Sequence, residues 1–125
     1  MLKINGAYGE GGGQILRSAV SLSAITGKPI EVINIRSKRK NPGIRPQHML
    51  AVKTIADLFH AKVENLKVGS DWIRFSNLSP KEFDFGNIMK IDVGTAGSIP
   101  MILQAVIPAV SLAGRSLSIQ ITGGT

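Results

Sequence analysis

A glycine-rich stretch near the start of the chain, Gly9-Glu10-Gly11-Gly12-Gly13-Gln14-Ile15-Leu16-Arg17, constrains its fold more than any other feature. The apolar residues 2–4 before it predict a strand. The apolar-rich run from Ile15 to Ile25 after it is long enough for a helix, so the glycines form a strand-to-helix turn. Backbone N–H groups and the positive end of the helix dipole at such a turn favour an anion. The plainer interpretation is a tight turn in which glycine permits a positive φ.

Composition favours a single globular domain with a polyanionic partner. The 125 residues are 43% apolar and carry 15 Lys and Arg against 8 Asp and Glu, a formal net charge of +7. That surplus favours nucleic acid or a nucleotide, although a generically basic protein has the same balance. The absence of cysteine excludes a disulfide framework and thiolate metal sites, and it fits a cytoplasmic protein. The most apolar segment, residues 99–113, is too short to cross a bilayer, so no membrane span is expected.

The positive charge is concentrated in residues 36–45. Five of these ten residues are Lys or Arg, and Pro42-Gly43 predicts a loop ahead of the next helix. Such a loop can direct several charges toward one point. Arg39 and Arg45 are the preferred phosphate ligands, because a guanidinium group can bind two phosphate oxygens at once. A solvated basic loop without a ligand is the alternative.

The periodicity of apolar residues predicts alternating strands and helices, an α/β chain of the α+β kind. The predicted strands are residues 2–5, 30–35, 62–67, 71–76, 88–93 and 116–122, and the predicted helices are residues 12–26, 46–60 and 97–113. This order is a βαβαββ unit followed by βαβ. Helix 46–60 begins at Pro46 and is expected to bury Leu50, Ile55, Leu58 and Phe59. Trp72 is predicted to pack against the fold and not to stack on a base.

The chain aligns with itself at an offset of 87 residues. Lys-Ile-Asn at 3–5 falls on Lys-Ile-Asp at 90–92, and Arg17 falls on Gln104. Chance matching of apolar residues is the alternative to an internal repeat. The predicted units are a complete one at residues 1–86 and the first half of a second at residues 87–125, so the chain is interpreted as truncated.

Taken together, these motifs resemble the RNA 3′-terminal phosphate cyclases. The resemblance is carried by residues 9–17, 35–36 (Ile-Arg), 42–48 (Pro-Gly-Ile-Arg-Pro-Gln-His), 69–70 (Gly-Ser), 94–98 (Gly-Thr-Ala-Gly-Ser), 103–104 and 123–125. It implies repeated units in which two helices pack on a four-stranded sheet. It also implies a ligase that uses ATP to convert an RNA 3′-phosphate into a 2′,3′-cyclic phosphodiester. The reaction releases AMP and pyrophosphate and passes through a histidine–AMP intermediate.

The resemblance also implies site residues. Glu10 is the implied ligand of a divalent metal such as Mg²⁺ at the triphosphate. The implied ligands of RNA or phosphate are Arg17, Arg36, Arg39, Gln47 and His48, and the implied nucleotide contacts are Gln14 and Gln104. Two of these have ordinary alternatives: His48 as a helix-start histidine bonded to local backbone, and Gln104 as a buried amide bonded to a neighbouring helix.

Two functional hypotheses follow. In the family the nucleophilic histidine lies in the C-terminal part, so neither His48 nor His60 inherits its role and this chain alone is expected to be inactive. The chain is either the N-terminal part of the enzyme or a non-catalytic, cyclase-like RNA-binding protein of ribosome assembly, which a basic surface would serve equally well. Glu10, Arg17 and the glycine turn favour the enzyme, because a scaffold needs no metal–triphosphate site.

The half-unit at the end of the chain predicts self-association. Helix 97–113 would lack the second helix of a complete unit, and strand 116–122 would have an open edge. We therefore expect a homo-oligomer, most simply a two-fold dimer, joined through residues 88–122. Light scattering at micromolar concentration tests this expectation, and a monomer with a cooperative melt would contradict it.

Overall fold

A computed structural model describes residues 1–9, 11–77, 89–92, 99–112 and 118–123. Its elements, in order, are β1 (Leu2–Asn5), α1 (Gly13–Thr26), β2 (Ile30–Ile33), α2 (Pro46–Phe59), β3 (Lys62–Glu64), β4 (Ile73–Ser76), β5 (Met89–Asp92), α3 (Ile99–Leu112) and β6 (Ile119–Thr122). The fold is α+β, as predicted. Each helix has 14 residues. No helix in the described ranges has the length and apolar character needed to span a membrane.

Two of the strands are shorter than predicted because positive φ angles end them. Asn34 has φ 53° directly after β2, and Asn65 has φ 64° directly after β3. A residue in the left-handed region cannot continue an extended strand. The chain therefore turns away from the sheet earlier than the apolar pattern indicates.

The first six elements form a four-stranded sheet with two helices. The strand order is β1-β2-β4-β3, in which β1 and β2 are parallel and the other neighbours are antiparallel. β5 and β6 form a separate parallel pair. A parallel pair requires a crossover connection, and α1 and α3 provide it in the two cases. The predicted boundary between residues 86 and 87 lies outside the described residues.

The core lies between the sheet and the helices. Its largest buried side chains include Leu16 of α1, Phe59 of α2 and Phe75 of β4, each at most 1% exposed. Leu50, predicted to be buried, is only half-buried and packs at the margin of this core. On the opposite face of the sheet, the carboxylate of Glu31 accepts a 2.7 Å hydrogen bond from Arg74.

The third helix packs against the first two. Contacts join α3 to both α1 and α2, and they bury Ile102, Ala105, Val106 and Ala109. α1 and α2 therefore cover one face of α3, whereas Ile107 and Leu112 remain 56% and 65% exposed. The predicted homo-oligomer through residues 88–122 now depends on exposed side chains such as Leu112 and on the edges of the β5–β6 pair.

Candidate functional site

A cleft of about 850 Å³ lies where the first turns of α1 and α2 approach each other. Residues 11–14 line it from the start of α1, and Gln47 and His48 line it from the start of α2. Three predicted phosphate ligands also face it: Arg17, Arg36 and Arg39. The residue before α1 is Gly12, which has no side chain to cap the first N–H groups of the helix. Two positive helix ends and three guanidinium groups thus border one space, an arrangement that attracts anions.

The last two glycines of the turn allow site side chains to lie directly against it. A Cβ on Gly12 would stand 2.9 Å from Nη2 of Arg39, and a Cβ on Gly13 would stand 2.5 Å from Nε2 of His48. Gly9 and Gly11 instead have φ of 63° and 64°, as expected for a tight turn. The glycines therefore serve backbone conformation at the start of the run and close approach of side chains at its end. The second role was not predicted from the sequence.

The imidazole of His48 is a buried, neutral donor. Its Nδ1 accepts a 3.2 Å hydrogen bond from the backbone N–H of Arg45, which places the proton on Nε2, the nitrogen next to Gly13. Burial, followed by the charges of Arg36, Arg17 and Arg45, lowers the pKa of His48 to about 4. At neutral pH the ring therefore presents an N–H donor to the cleft. His48 therefore has both of the roles considered for it: it is bonded to the local backbone, and it lines the cleft.

Arg36 holds the basic loop in shape. Its own φ is 51°, and its Nη1 donates hydrogen bonds to the carbonyl oxygens of Asn41 (2.6 Å) and Gly43 (3.1 Å). Burial lowers the pKa of Arg36, and the neighbouring charges of Arg39 and Arg45 lower it further. Nη1 of the guanidinium group is thus occupied by carbonyl groups of the loop. The same loop places Arg39 at the cleft.

Arg17 joins the cleft to the second unit. Its Nη2 donates a 3.3 Å hydrogen bond to Oε1 of Gln104 on α3. Gln104 is thus bonded to a neighbouring helix, as its ordinary alternative states, but it is exposed and not buried. Burial lowers the pKa of Arg17. Gln104 lines a separate groove between α1 and α3, together with Gln14 and Arg17, and does not line the cleft.

The structure places the side chain of Arg45, a predicted phosphate ligand, away from the cleft lining. Arg45 is half-buried and contributes its backbone N–H to His48, while its side chain is not among the groups that line the cleft. Glu10, the predicted metal ligand, lies outside the described residues, as does the predicted motif at 94–98. In the described part of the chain, no three His, Cys, Asp or Glu side chains cluster as a metal site. The described cleft side chains fit an anion, and a divalent cation would depend on Glu10.

One side of the cleft is apolar, a feature that the sequence reasoning missed. Ile15, Ala19 and Leu22 line it from α1, Met101 lines it from α3, and Tyr8 lies beside the glycine turn. The α1 residues are spaced at i, i+4 and i+7, the pattern of a helix face that would be assigned to the core. Only Ala19 among those three is buried. Tyr8, placed directly before Gly9, is the one signal that could have indicated this side.

The fold and the cleft define a class: an α+β protein with a cationic cleft at the meeting point of two helix N-termini. Comparison with known families gives the same assignment as the motifs. The profile of the RNA 3′-terminal phosphate cyclase family matches residues 8–125, and the chain belongs to this family.

Relatives named RNA 3′-terminal phosphate cyclase align with the whole chain. The proteins of Pyrococcus furiosus, Ignicoccus hospitalis and Methanosarcina acetivorans are 51%, 50% and 46% identical to it over 125 residues. The alignments cover 100% of this chain and 35%, 34% and 34% of the respective relatives. The chain thus spans about a third of the length of the curated relatives it matches.

Proposed function

We propose that this chain supplies the phosphate-binding cleft of an RNA 3′-terminal phosphate cyclase. In this role it holds the RNA 3′-phosphate and the phosphates of ATP for formation of the 2′,3′-cyclic phosphodiester. The observation that carries the proposal is the convergence of the N-termini of α1 and α2 with Arg17, Arg36 and Arg39 on one cleft. Membership of the cyclase family supports an RNA 3′-end as the ligand.

The electrostatics of the cleft support a multiply charged phosphate. Burial lowers the pKa of both Arg17 and Arg36, so removing these two cations from water carries a cost. A phosphate with two negative charges offsets that cost and accepts charge-assisted hydrogen bonds from the guanidinium groups. The Nε2–H of His48 adds a neutral donor that stays in place at physiological pH. Donors fixed in this way also stabilise charge that develops on phosphoryl oxygens during the reaction.

The remaining parts of the reaction are proposed from the family resemblance. ATP would activate the phosphate through a histidine–AMP intermediate, and that histidine is assigned to the part of the family that this chain does not cover. Glu10 would hold the divalent ion, such as Mg²⁺, that neutralises triphosphate charge. The described residues contribute binding, orientation and electrostatic stabilisation.

We predict that Arg39→Ala weakens binding of 3′-phosphorylated RNA by about 1–3 kcal/mol, the value of a charge-assisted contact. Arg39 is exposed at the mouth of the cleft and its guanidinium group lies against Gly12, so its loss should remove a phosphate contact without disturbing the core. Selectivity for 3′-phosphate over 3′-hydroxyl RNA should fall by the same amount. Fluorescence anisotropy titrations with the two RNAs at fixed salt measure both quantities.

Lys38→Ala is the matched control for Arg39→Ala. Lys38 is exposed on the same loop but does not line the cleft, so its loss should weaken both RNAs equally and lower the salt slope of log affinity by roughly one unit. If Arg39→Ala also weakened both RNAs equally, the loop would be a general electrostatic surface. A non-catalytic RNA-binding role would then account better for the basic charge.

A further inference from the structure

Tyr8 is an exposed aromatic residue at the rim of the cationic cleft. It is 78% exposed, yet it lines the same cleft as Arg36 and Arg39. Phe59 and Phe75, by contrast, are fully buried. The outer face of an aromatic ring at the edge of a phosphate site is available for stacking.

The backbone holds Tyr8 in a fixed place. Its N–H donates to the carbonyl of Asn5 at 3.3 Å, and its own carbonyl accepts from the N–H of Gly11 at 3.1 Å. The preceding Ala7 is buried, and its N–H donates to the side chain of Asn5 at 3.0 Å. Hydrogen bonds therefore hold the backbone that carries the exposed ring, so a ligand that stacks on the ring does not have to order that backbone.

The shape of the cleft leaves room for more than a phosphate. Its volume of about 850 Å³ is at the upper end of the range for sites that hold drug-sized ligands. The apolar residues of α1 extend from Ile15 to Leu22, a rise of roughly 10 Å along the helix axis. The cationic end of the cleft thus continues into an apolar side suited to the flat, uncharged part of a nucleotide.

We propose that Tyr8 stacks on a nucleobase of the RNA strand that enters the cleft with its 3′-phosphate against Arg36 and Arg39. The proposal rests on the proposed function. It adds a contact that distinguishes a polynucleotide substrate from a free nucleotide. Tyr8 stands at the mouth, where a strand must leave the cleft toward solvent, and its ring is too exposed to enclose a free nucleotide. A base of the RNA is accordingly the better partner for this ring than the adenine of ATP.

The test is a double-mutant cycle between Tyr8 and the RNA bases in the full-length protein. Short 3′-phosphorylated RNAs carry either natural bases or an abasic site at the last or the next-to-last nucleotide. Binding is followed by fluorescence anisotropy for the wild type, Tyr8→Ala and Tyr8→Phe. Tyr8→Ala should weaken natural RNA about 5- to 30-fold, in line with the loss of one stacked base, and Tyr8→Phe should retain affinity because the ring and not the hydroxyl group makes the contact. When the nucleotide whose base stacks on Tyr8 is replaced by an abasic site, the wild type and Tyr8→Ala should bind the RNA with equal affinity.

A control variant and three comparisons of binding distinguish the possible failures. Val68→Ala removes another exposed apolar side chain, 47% exposed and outside the cleft lining, and should bind natural RNA as the wild type does. Equal losses on natural and abasic RNA in Tyr8→Ala, or weakened ATP binding with unchanged RNA binding, would overturn the stacking contact. A wild-type protein that does not distinguish 3′-phosphate from 3′-hydroxyl RNA would instead refute the proposed function, whatever the result for Tyr8.

Discussion

Incubated with radiolabelled ATP and Mg²⁺, the 125-residue chain is expected to form no covalent nucleotide adduct. A histidine that attacks a phosphorus atom needs an unshared electron pair directed at it. In His48 the pair on Nδ1 already accepts the N–H of Arg45, while Nε2 carries the proton and faces the cleft as a donor. Neither nitrogen of this ring is therefore placed to act as the nucleophile.

The second histidine is too far from the cleft to replace it. His60 is the exposed residue that ends α2, and the cleft lies at the other end of this 14-residue helix. A helix of that length measures roughly 20 Å, which no side-chain rotation can span. Both histidines of the chain are thus excluded as the nucleophile, His48 by its local geometry and His60 by its distance from the cleft.

Denaturing electrophoresis measures the adduct. Under the proposed function, a full-length relative such as the protein of Pyrococcus furiosus should be labelled in the same assay, and it is run in parallel. A phosphoramidate is stable to alkali and lost in acid, so a label with those properties on the 125-residue chain would contradict the prediction. His48→Asn and His60→Asn variants would then locate the reactive ring.

Gly43→Ala should destabilise the fold by about 2–5 kcal/mol. Gly43 has φ 82°, and a Cβ there would overlap the backbone carbonyl group of Gly69, whose carbon would lie 2.7 Å away. The left-handed conformation costs an alanine roughly 1–2 kcal/mol, and forcing a methyl group into a packed site adds about 1–3 kcal/mol. The neighbouring backbone bonds, Ile44 N–H to Ser70 O at 2.8 Å and Gly69 N–H to Ile44 O at 2.7 Å, prevent the two segments from separating without loss.

Gly69→Ala provides a matched control for Gly43→Ala. Its φ is 87°, but nothing lies within 4 Å of the position of its Cβ, so it should cost only the conformational part, about 1–2 kcal/mol. Denaturant unfolding of both variants measures the difference, which is the effect of the overlap alone. Equal destabilisation of the two would show that the segments move apart readily and that the basic loop is not fixed against residues 69–70.

The helices of this fold could be predicted closely from local signals. Pro46 begins α2 as expected, and Gly27, with φ 76°, ends α1. Strand ends were predicted less well, because they depend on single dihedral angles. Asn34 and Asn65 tolerate a positive φ, but an isolated asparagine does not reveal that it adopts one. The packing of α3 against α1 and α2 depends on tertiary contacts and was not predicted.

The candidate site, like the fold, was predicted only in part. Residue type selected Arg39, because a guanidinium group suits a phosphate, and the family resemblance selected Arg17, Arg36 and His48; all four line one cleft. Charge density could not show that Nη1 of Arg36 donates to carbonyl groups of its own loop, or that Arg45 does not line the cleft. Those outcomes depend on the path of the loop, which is determined by backbone hydrogen bonds to residues distant in the sequence.

The hydrogen bond between Arg17 and Gln104 links two positions that the 87-residue offset makes equivalent. Arginine at both positions would place two cations about 3 Å apart, and like charges at that distance repel strongly. With glutamine on one side, the repulsion is replaced by a hydrogen bond that orients the remaining charge. The crossing of α1 and α3 thus carries one cation, which a neutral amide partner holds. The orientation of the Arg17 charge therefore depends on how α3 packs against α1.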